Sequence, residues 1–247
     1  AKKIMTSEQF LPMIGHSLAT TGISTVISVS LASLLAWCLN RTNIKGKGVF
    51  AVLFTIPMLI PSVSHGTGLV LLFGDNGLLM NGLGIHVNLY GYFGMILGWV
   101  LYSFPVAFLM LTDSFQYEDY TTYEAAQVLG MGKLEQFRTI MLPNLKKTLI
   151  STVFATFTLI FTDYGVPLVV GGKVMTLSLY MYREVVGLLD FSKGAIIGVL
   201  LLIPAVAAFI VDLKNDETAN ASTVTKQYVV PLSRKRDGIS YCICILT

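Results

Sequence analysis

Charge is what this sequence has least of. Only 13% of its 247 residues are Asp, Glu, Lys or Arg, against 54% hydrophobic ones, and the mean hydropathy is +0.70. A soluble globular domain carries about 25% charged residues, so this composition excludes one and points to a polytopic membrane protein. Cysteine is nearly as scarce. Cys38, Cys242 and Cys244 form neither a disulfide framework nor a zinc spacing, and no function is assigned to them. The three histidines, His16, His65 and His86, have no carboxylate or cysteine partner close in sequence, which leaves no candidate catalytic residue and no metal site. No Gly-x-x-x-x-Gly-Lys-Ser/Thr occurs; Gly171-Gly172-Lys173 is followed by Val174. The net charge of +3 forms no single basic patch, so no nucleic-acid partner is expected.

Long apolar runs are abundant. A membrane-spanning helix needs roughly 20 mostly apolar residues, and five runs qualify: 17–39, 49–73, 90–111, 145–166 and 195–211. A sixth, 239–247 (ISYCICILT), is too short to cross and reads as the start of a further span. The first residues show no signal-peptide pattern, and the chain reads as a piece of a longer one. Residues 213–238 form a polar, then basic, linker.

Lys and Arg near span ends set the orientation. With the N-terminus outside, the inner side receives Arg41, Lys45, Lys47, Lys133, Arg138, Lys146, Lys147, Lys214, Lys226, Arg234, Lys235 and Arg236, twelve of the seventeen. The outer side keeps Lys2, Lys3, Lys173, Arg183 and Lys193, and 74–89 has neither Lys nor Arg. This places the polar loop 113–144 in the cytoplasm.

Within that loop, Thr121-Thr122-Tyr123-Glu124 has the spacing of a capping box, so a helix is expected to start there. Ala125 and Ala126 favour helix and allow close approach of another surface. Gly130 and Gly132 suit a helix stop and a turn. A second short helix, 133–142, would carry Leu134, Phe137 and Met141 on one face and end at Pro143.

This pattern of Glu124-Ala125-Ala126, then Gly130, Ile140 and Leu142-Pro143 resembles the EAA motif of inner-membrane permeases of binding-protein-dependent ABC importers, of the MetI-like type. The resemblance implies an all-α transmembrane bundle, with 1–212 as the permease domain. It also implies that the loop is a coupling helix docked on a separate cytoplasmic ATPase dimer. Glu124, Ala125, Ala126 and Gly130 would be its contact and turn positions, and Ile140, Leu142 and Pro143 would anchor it to the bundle. ATP and Mg would be bound by the partner, and no cofactor by this chain. Further implied partners are a periplasmic or lipid-anchored substrate-binding protein and a second permease half, expected on the same chain after the linker.

The likeness extends over most of the sequence. SLATTGISTVISVSLASLLAWCLNRTNIKGKG, LLFGDNGLL, DYGVPLVVGG and DFSKGAIIGVLLLIPAVAAFIVD are similar to the first half of fused permeases for 2-aminoethylphosphonate and iron(III). DYGVP followed by Gly171-Gly172, together with KQYVVPLSRKRD, leans toward aminoethylphosphonate. Polyamine, thiamine and sulfate importers share the architecture.

Inside the spans, Ser24, Ser28, Ala32 and Ala36 recur every four residues, as do Gly94 with Gly98 and Gly194 with Gly198. Such small stripes let helices pack closely in lipid. Pro57 and Pro61 break the second span, and broken helices with polar residues line cavities, which makes His65 a pathway candidate beside a packing role. Asp163, with Tyr164, lies well inside the fourth run; an intramembrane acid is a functional hypothesis by default, against interfacial hydration. A secondary transporter would share the spans and the acid but has no use for an EAA loop, and a purely structural membrane subunit leaves the loop equally unexplained.

Overall fold

The computed structural model describes residues 10–116, 118–216, 226 and 228–247, and among them every regular element is helical. Residues 217–225 and 227 of the expected linker, and Lys2 and Lys3, lie outside the described residues. Among the described residues four helices are long and apolar enough to cross a membrane: Phe10–Arg41, Tyr92–Gln116, Lys133–Thr162 and Phe191–Val211. The bent pair Lys47–Leu59 and Ser62–Leu83 makes a fifth span if counted as one.

The long helix α1 (Phe10–Arg41) buries a face of small and hydroxyl side chains that includes Ser17, Thr20, Ser24, Ser28, Ala32 and Ala36. The expected stripe is therefore a packing seam. Short side chains let α1 lie close along α5 (Tyr92–Gln116), and Ser28 and Ser103 pair by their hydroxyls at 2.8 Å. Below the seam, Leu35, Leu39, Phe104, Phe108 and Leu111 form the largest apolar core.

The second expected span is not one straight helix. It consists of α2 (Lys47–Thr55), a 3-10 turn at Ile56–Leu59 and α3 (Ser62–Phe73), with a bend of 104° between the two parts. Pro57 and Pro61 each remove a backbone donor. Ile60 turns extended at φ −101° and ψ 130°, as a residue before proline prefers. After the short helix α4 (Leu78–Leu83), the chain enters α5.

The fourth span is α8 (Leu142–Thr162), which stops at Asp163 rather than reaching 166. It is followed by the short helix α9 (Gly165–Val170), which wedges between α3 and α5. Glycines make the wedge possible. A Cβ on Gly98 would lie 2.7 Å from Val166 Cγ1, and one on Gly66 would lie 2.8 Å from Val169 Cβ. The next helix, α10 (Leu177–Tyr182), continues through a π turn at Arg183–Gly187. Then α11 (Phe191–Asp216) packs Ile197 and Leu201 against Phe161 and Leu177. At Gly194 a Cβ would clash with Val185 Cγ2, whereas Gly198 makes only ordinary contact. The last helix, α12 (Arg234–Leu246), starts earlier than the 239 read from hydropathy, and it sets Cys244 and Ser240 against the α1 side of the core.

Candidate functional site

The polar loop folds as a helix–turn–helix, though not from the residues expected to start it. Helix α6 (Tyr120–Val128) is capped by Asp119, whose carboxylate accepts the Thr121 N–H at 3.0 Å. Thr121 therefore sits inside the first turn, and the Thr-x-x-Glu box does not form. Aspartate is among the strongest N-cap residues, and it won the position one turn before Glu124. Glu124 instead pairs with Lys226.

The stop follows the sequence reading. Gly130 has φ +77°; its N–H donates to Gln127 O at 3.0 Å, and the Met131 N–H donates to Ala126 O at 3.0 Å. These are the paired bonds of a Schellman motif, whose left-handed residue is usually glycine. A Cβ on Gly130 would meet nothing within 4 Å, so conformation alone demands glycine there.

Beyond the turn, α7 (Lys133–Gln136) passes without interruption into a π turn at Phe137–Met141 and then α8. Pro143 does not end a helix, contrary to expectation. It lies just past the π turn, inside the continuous helix Lys133–Thr162, and the π turn before it accommodates the missing backbone donor. Of the three expected anchors, only Ile140 is buried; Leu142 and Pro143 are exposed, and Met141 packs in their place. Leu134 and Phe137 are exposed too.

The loop is thus held on one side and open on the other. Tyr123 and Ala126 are buried in the main core, while Ala125 is exposed. Val128 and Leu129 stand 88% and 79% exposed at the tip, an apolar edge that none of the described residues covers.

A buried polar cluster that sequence reasoning missed fixes the base. Arg41, at the end of α1, pairs with Glu118, and both side chains are buried. The Tyr123 hydroxyl donates to Glu118 Oε1 at 2.6 Å, and the Arg41 guanidinium lies 3.5 Å from the Tyr228 ring centroid. Burial pushes the Tyr123 phenol up to about 12, with neighbouring Tyr228 adding to the rise and the Arg41 charge opposing it. In the sequence Arg41 was legible only as one of many basic residues at a span end. Its partners are 77 and 187 positions away, beyond any local spacing. The cluster does bring together three segments that charge asymmetry assigned to one side of the membrane.

At the opposite end, Asp163 accepts three hydrogen bonds: from Trp99 Nε1 at 2.9 Å, from the Gly165 N–H at 3.2 Å and from the Val166 N–H at 3.0 Å. It caps α9 and ties it to α5. Its own carbonyl accepts the Ser178 hydroxyl at 2.7 Å. Tyr164 stacks on Tyr182 with centroids 4.5 Å apart. His65 places Nδ1 3.2 Å from Pro61 O and its ring 5.9 Å from Tyr102. His86, exposed, does have an acidic neighbour, Asp75 at 3.4 Å. Among the described residues no group of three or more His, Cys, Asp or Glu side chains is arranged to hold a metal.

Long helices, a broken second span and a helix–turn–helix between two spans define a polytopic helical membrane domain. The chain belongs to the family described as binding-protein-dependent transport system inner membrane component, whose model matches residues 28–213. The match contains the whole loop. Among its relatives, the ferric transport system permease protein FbpB of Actinobacillus pleuropneumoniae is 25% identical over 256 residues, covering 99% of this chain. The molybdenum transport system permease protein ModB of Azotobacter vinelandii is 26% identical over 171 residues, covering 68% of this chain and 76% of that protein. The chain spans 37% of the Actinobacillus protein's length and 39% of a ferric permease relative from Haemophilus influenzae. Its fold matches the crystal structure of a bacterial ABC transporter involved in alginate import, with a TM-score of 0.72 at 16% identity over 89% of this chain and 83% of that one. The MetNI methionine ABC transporter matches with a TM-score of 0.56 at 13% identity, over 86% of this chain and 97% of that one.

Proposed function

We propose that this chain is the permease portion of an ATP-driven importer, and that the loop built on α6 and α7 receives the stroke of a separate cytoplasmic ATPase. The observation that carries the reading is the two-sided loop. Tyr123, Ala126 and Ile140 fix it in the bundle, while Ala125, Val128, Leu129 and Leu134 remain open to a partner. Exposed contiguous apolar surface of this kind marks interaction sites. Glu124 and Gly130 shape the same element, Leu142 and Pro143 continue it into α8, and a force applied at the tip would pass directly into that span.

Two cargo readings are supported, each by a different observation. Ferric iron is favoured by relatives that match along nearly the whole chain. 2-Aminoethylphosphonate is favoured by DYGVP with Gly171-Gly172 and by the KQYVVPLSRKRD segment. Selection would fall chiefly to a periplasmic or lipid-anchored binding protein, and a second permease half would complete the pathway. His65 and Tyr164 flank α9 and are the side chains we assign to the pathway wall, with Asp163 holding that helix in place.

The test is uptake in proteoliposomes carrying the full-length permease with its ATPase and binding protein, supplied in turn with labelled ferric iron and labelled 2-aminoethylphosphonate. ATP-dependent accumulation of one cargo selects between the two readings. Accumulation without the ATPase, driven by an ion gradient, would instead establish a secondary transporter.

A further inference from the structure

The segment after α11 does more than connect. Where it re-enters the described structure, at Lys226, it lies across the first turn of α6. The Tyr120 N–H, a helix-start donor with no partner inside its own helix, donates to the Lys226 carbonyl at 3.0 Å. The Lys226 ammonium pairs with Glu124 and sits 5.4 Å from the Tyr120 ring centroid.

Tyr228 then fills an aromatic seat. Its ring meets those of Tyr120 and Tyr123 edge-on, each at 5.1 Å, and covers the buried Arg41 guanidinium at 3.5 Å. Further on, Asn43 Nδ2 donates to Val230 O at 3.1 Å, and the Asn43 N–H donates to Asp237 Oδ1 at 3.2 Å. The strap is thus bound at both ends, to the loop helix and to the cytoplasmic end of α1.

We propose that this strap, Lys226 with residues 228–230, is a working part of the coupling element. It caps α6, neutralises Glu124 and uses Tyr228 to lock the loop onto Arg41, so that displacement of α6 carries with it the base of α12 and whatever follows. Cation–π contact with a desolvated guanidinium is a strong interaction, and a helix of nine residues is too short to hold together unaided. Both facts make the strap decisive for the order of the loop. The functional consequence rests on the coupling reading given above; the docking itself does not.

Hydrogen exchange on the full-length chain in lipid nanodiscs tests the docking. In Tyr228→Ala the amides of 120–124 should exchange at least tenfold faster, and in Tyr228→Phe, which keeps the ring over Arg41, they should stay near wild type. Carbodiimide, which joins a lysine to a carboxylate in contact, should yield a Lys226–Glu124 amide in wild type and not in Lys226→Ala. Unchanged exchange in Tyr228→Ala, or absence of the amide in well-folded wild type, would overturn the proposal. ATP-driven uptake should fall about tenfold in Tyr228→Ala and recover in Tyr228→Phe. Uptake unaltered in Tyr228→Ala while Val128→Asp abolishes it would also overturn the strap's role. Uptake unaltered by Val128→Asp would instead sink the coupling reading and leave the docking intact.

Discussion

The Trp99 indole N–H donates to Asp163 at 2.9 Å, joining the middle of α5 to the cap of α9 across 64 residues of sequence. Asp163 is therefore a load-carrying acceptor before it is anything else. Asparagine there keeps one oxygen for three donors, and each buried donor left unmatched costs about 1–3 kcal/mol. We expect Asp163→Asn and Trp99→Phe each to lower the thermal midpoint of the solubilised chain, with the double variant losing less than the sum of the two. The sequence has only two tryptophans, so in a Trp37→Phe background the emission reports the Trp99 contact alone. Lost uptake in Asp163→Asn at unchanged stability would return the carboxylate to the substrate pathway.

Gly130 separates conformation from crowding. With open space around it and φ at +77°, Gly130→Asn should retain most uptake, since asparagine tolerates the left-handed region. Gly130→Val should lose it, a β-branched residue being a true outlier there. Equal activity of the two variants would mean that the turn is not needed.

The α9 wedge depends on two glycines. Gly98→Ala places a methyl 2.7 Å from Val166 Cγ1, and overpacking of this kind costs about 1–3 kcal/mol. Shortening the neighbour in Gly98→Ala with Val166→Ala should recover stability in a thermal melt. No recovery would place the strain elsewhere.

At the loop tip, Val128→Asp and Leu129→Asp should leave the melting temperature within about 2 °C of wild type, because fully exposed substitutions move stability by no more than about 0.5 kcal/mol. They should nevertheless weaken ATPase co-purification by an order of magnitude. A fall in melting temperature with normal co-purification would reverse the assignment of that surface.

Tyr123 gives a pH signature. Its folded phenol is held near 12 by burial, against about 10 in an unfolded chain. The native state therefore keeps this proton longer than the unfolded one, and the associated stability, complete below pH 10, declines as pH rises toward 12. Tyrosinate absorbance of wild type minus Tyr123→Phe should show a transition near pH 12. A difference midpoint at 10 would show that the ring is solvated.

Span number was legible because it depends on composition over some twenty residues, which a sequence displays directly. The Gly130 stop was legible because one residue type answers one backbone conformation. The start of α6 was misread, since Asp119 and Thr121 are both good caps and local spacing does not decide between them. Pro143 was misread as a terminator because a π turn lets a helix run on past a proline, and nothing in the local sequence announces that turn. The joining of Arg41, Glu118, Tyr123 and Tyr228 left no local signal, since they are assembled from three segments whose register the sequence does not state.

The seam of α1 carries a consequence for how this protein can change over time. Where Ser24, Ser28, Ala32 and Ala36 face a neighbour at close quarters, side-chain volume is restricted while polarity is nearly free, since a hydroxyl pair in lipid contributes only about 0.6 kcal/mol on average. Substitution should drift easily among glycine, alanine and serine at these four positions and stall at leucine. A saturation-mutagenesis profile would record the contact as a comb of size intolerance with a four-residue period.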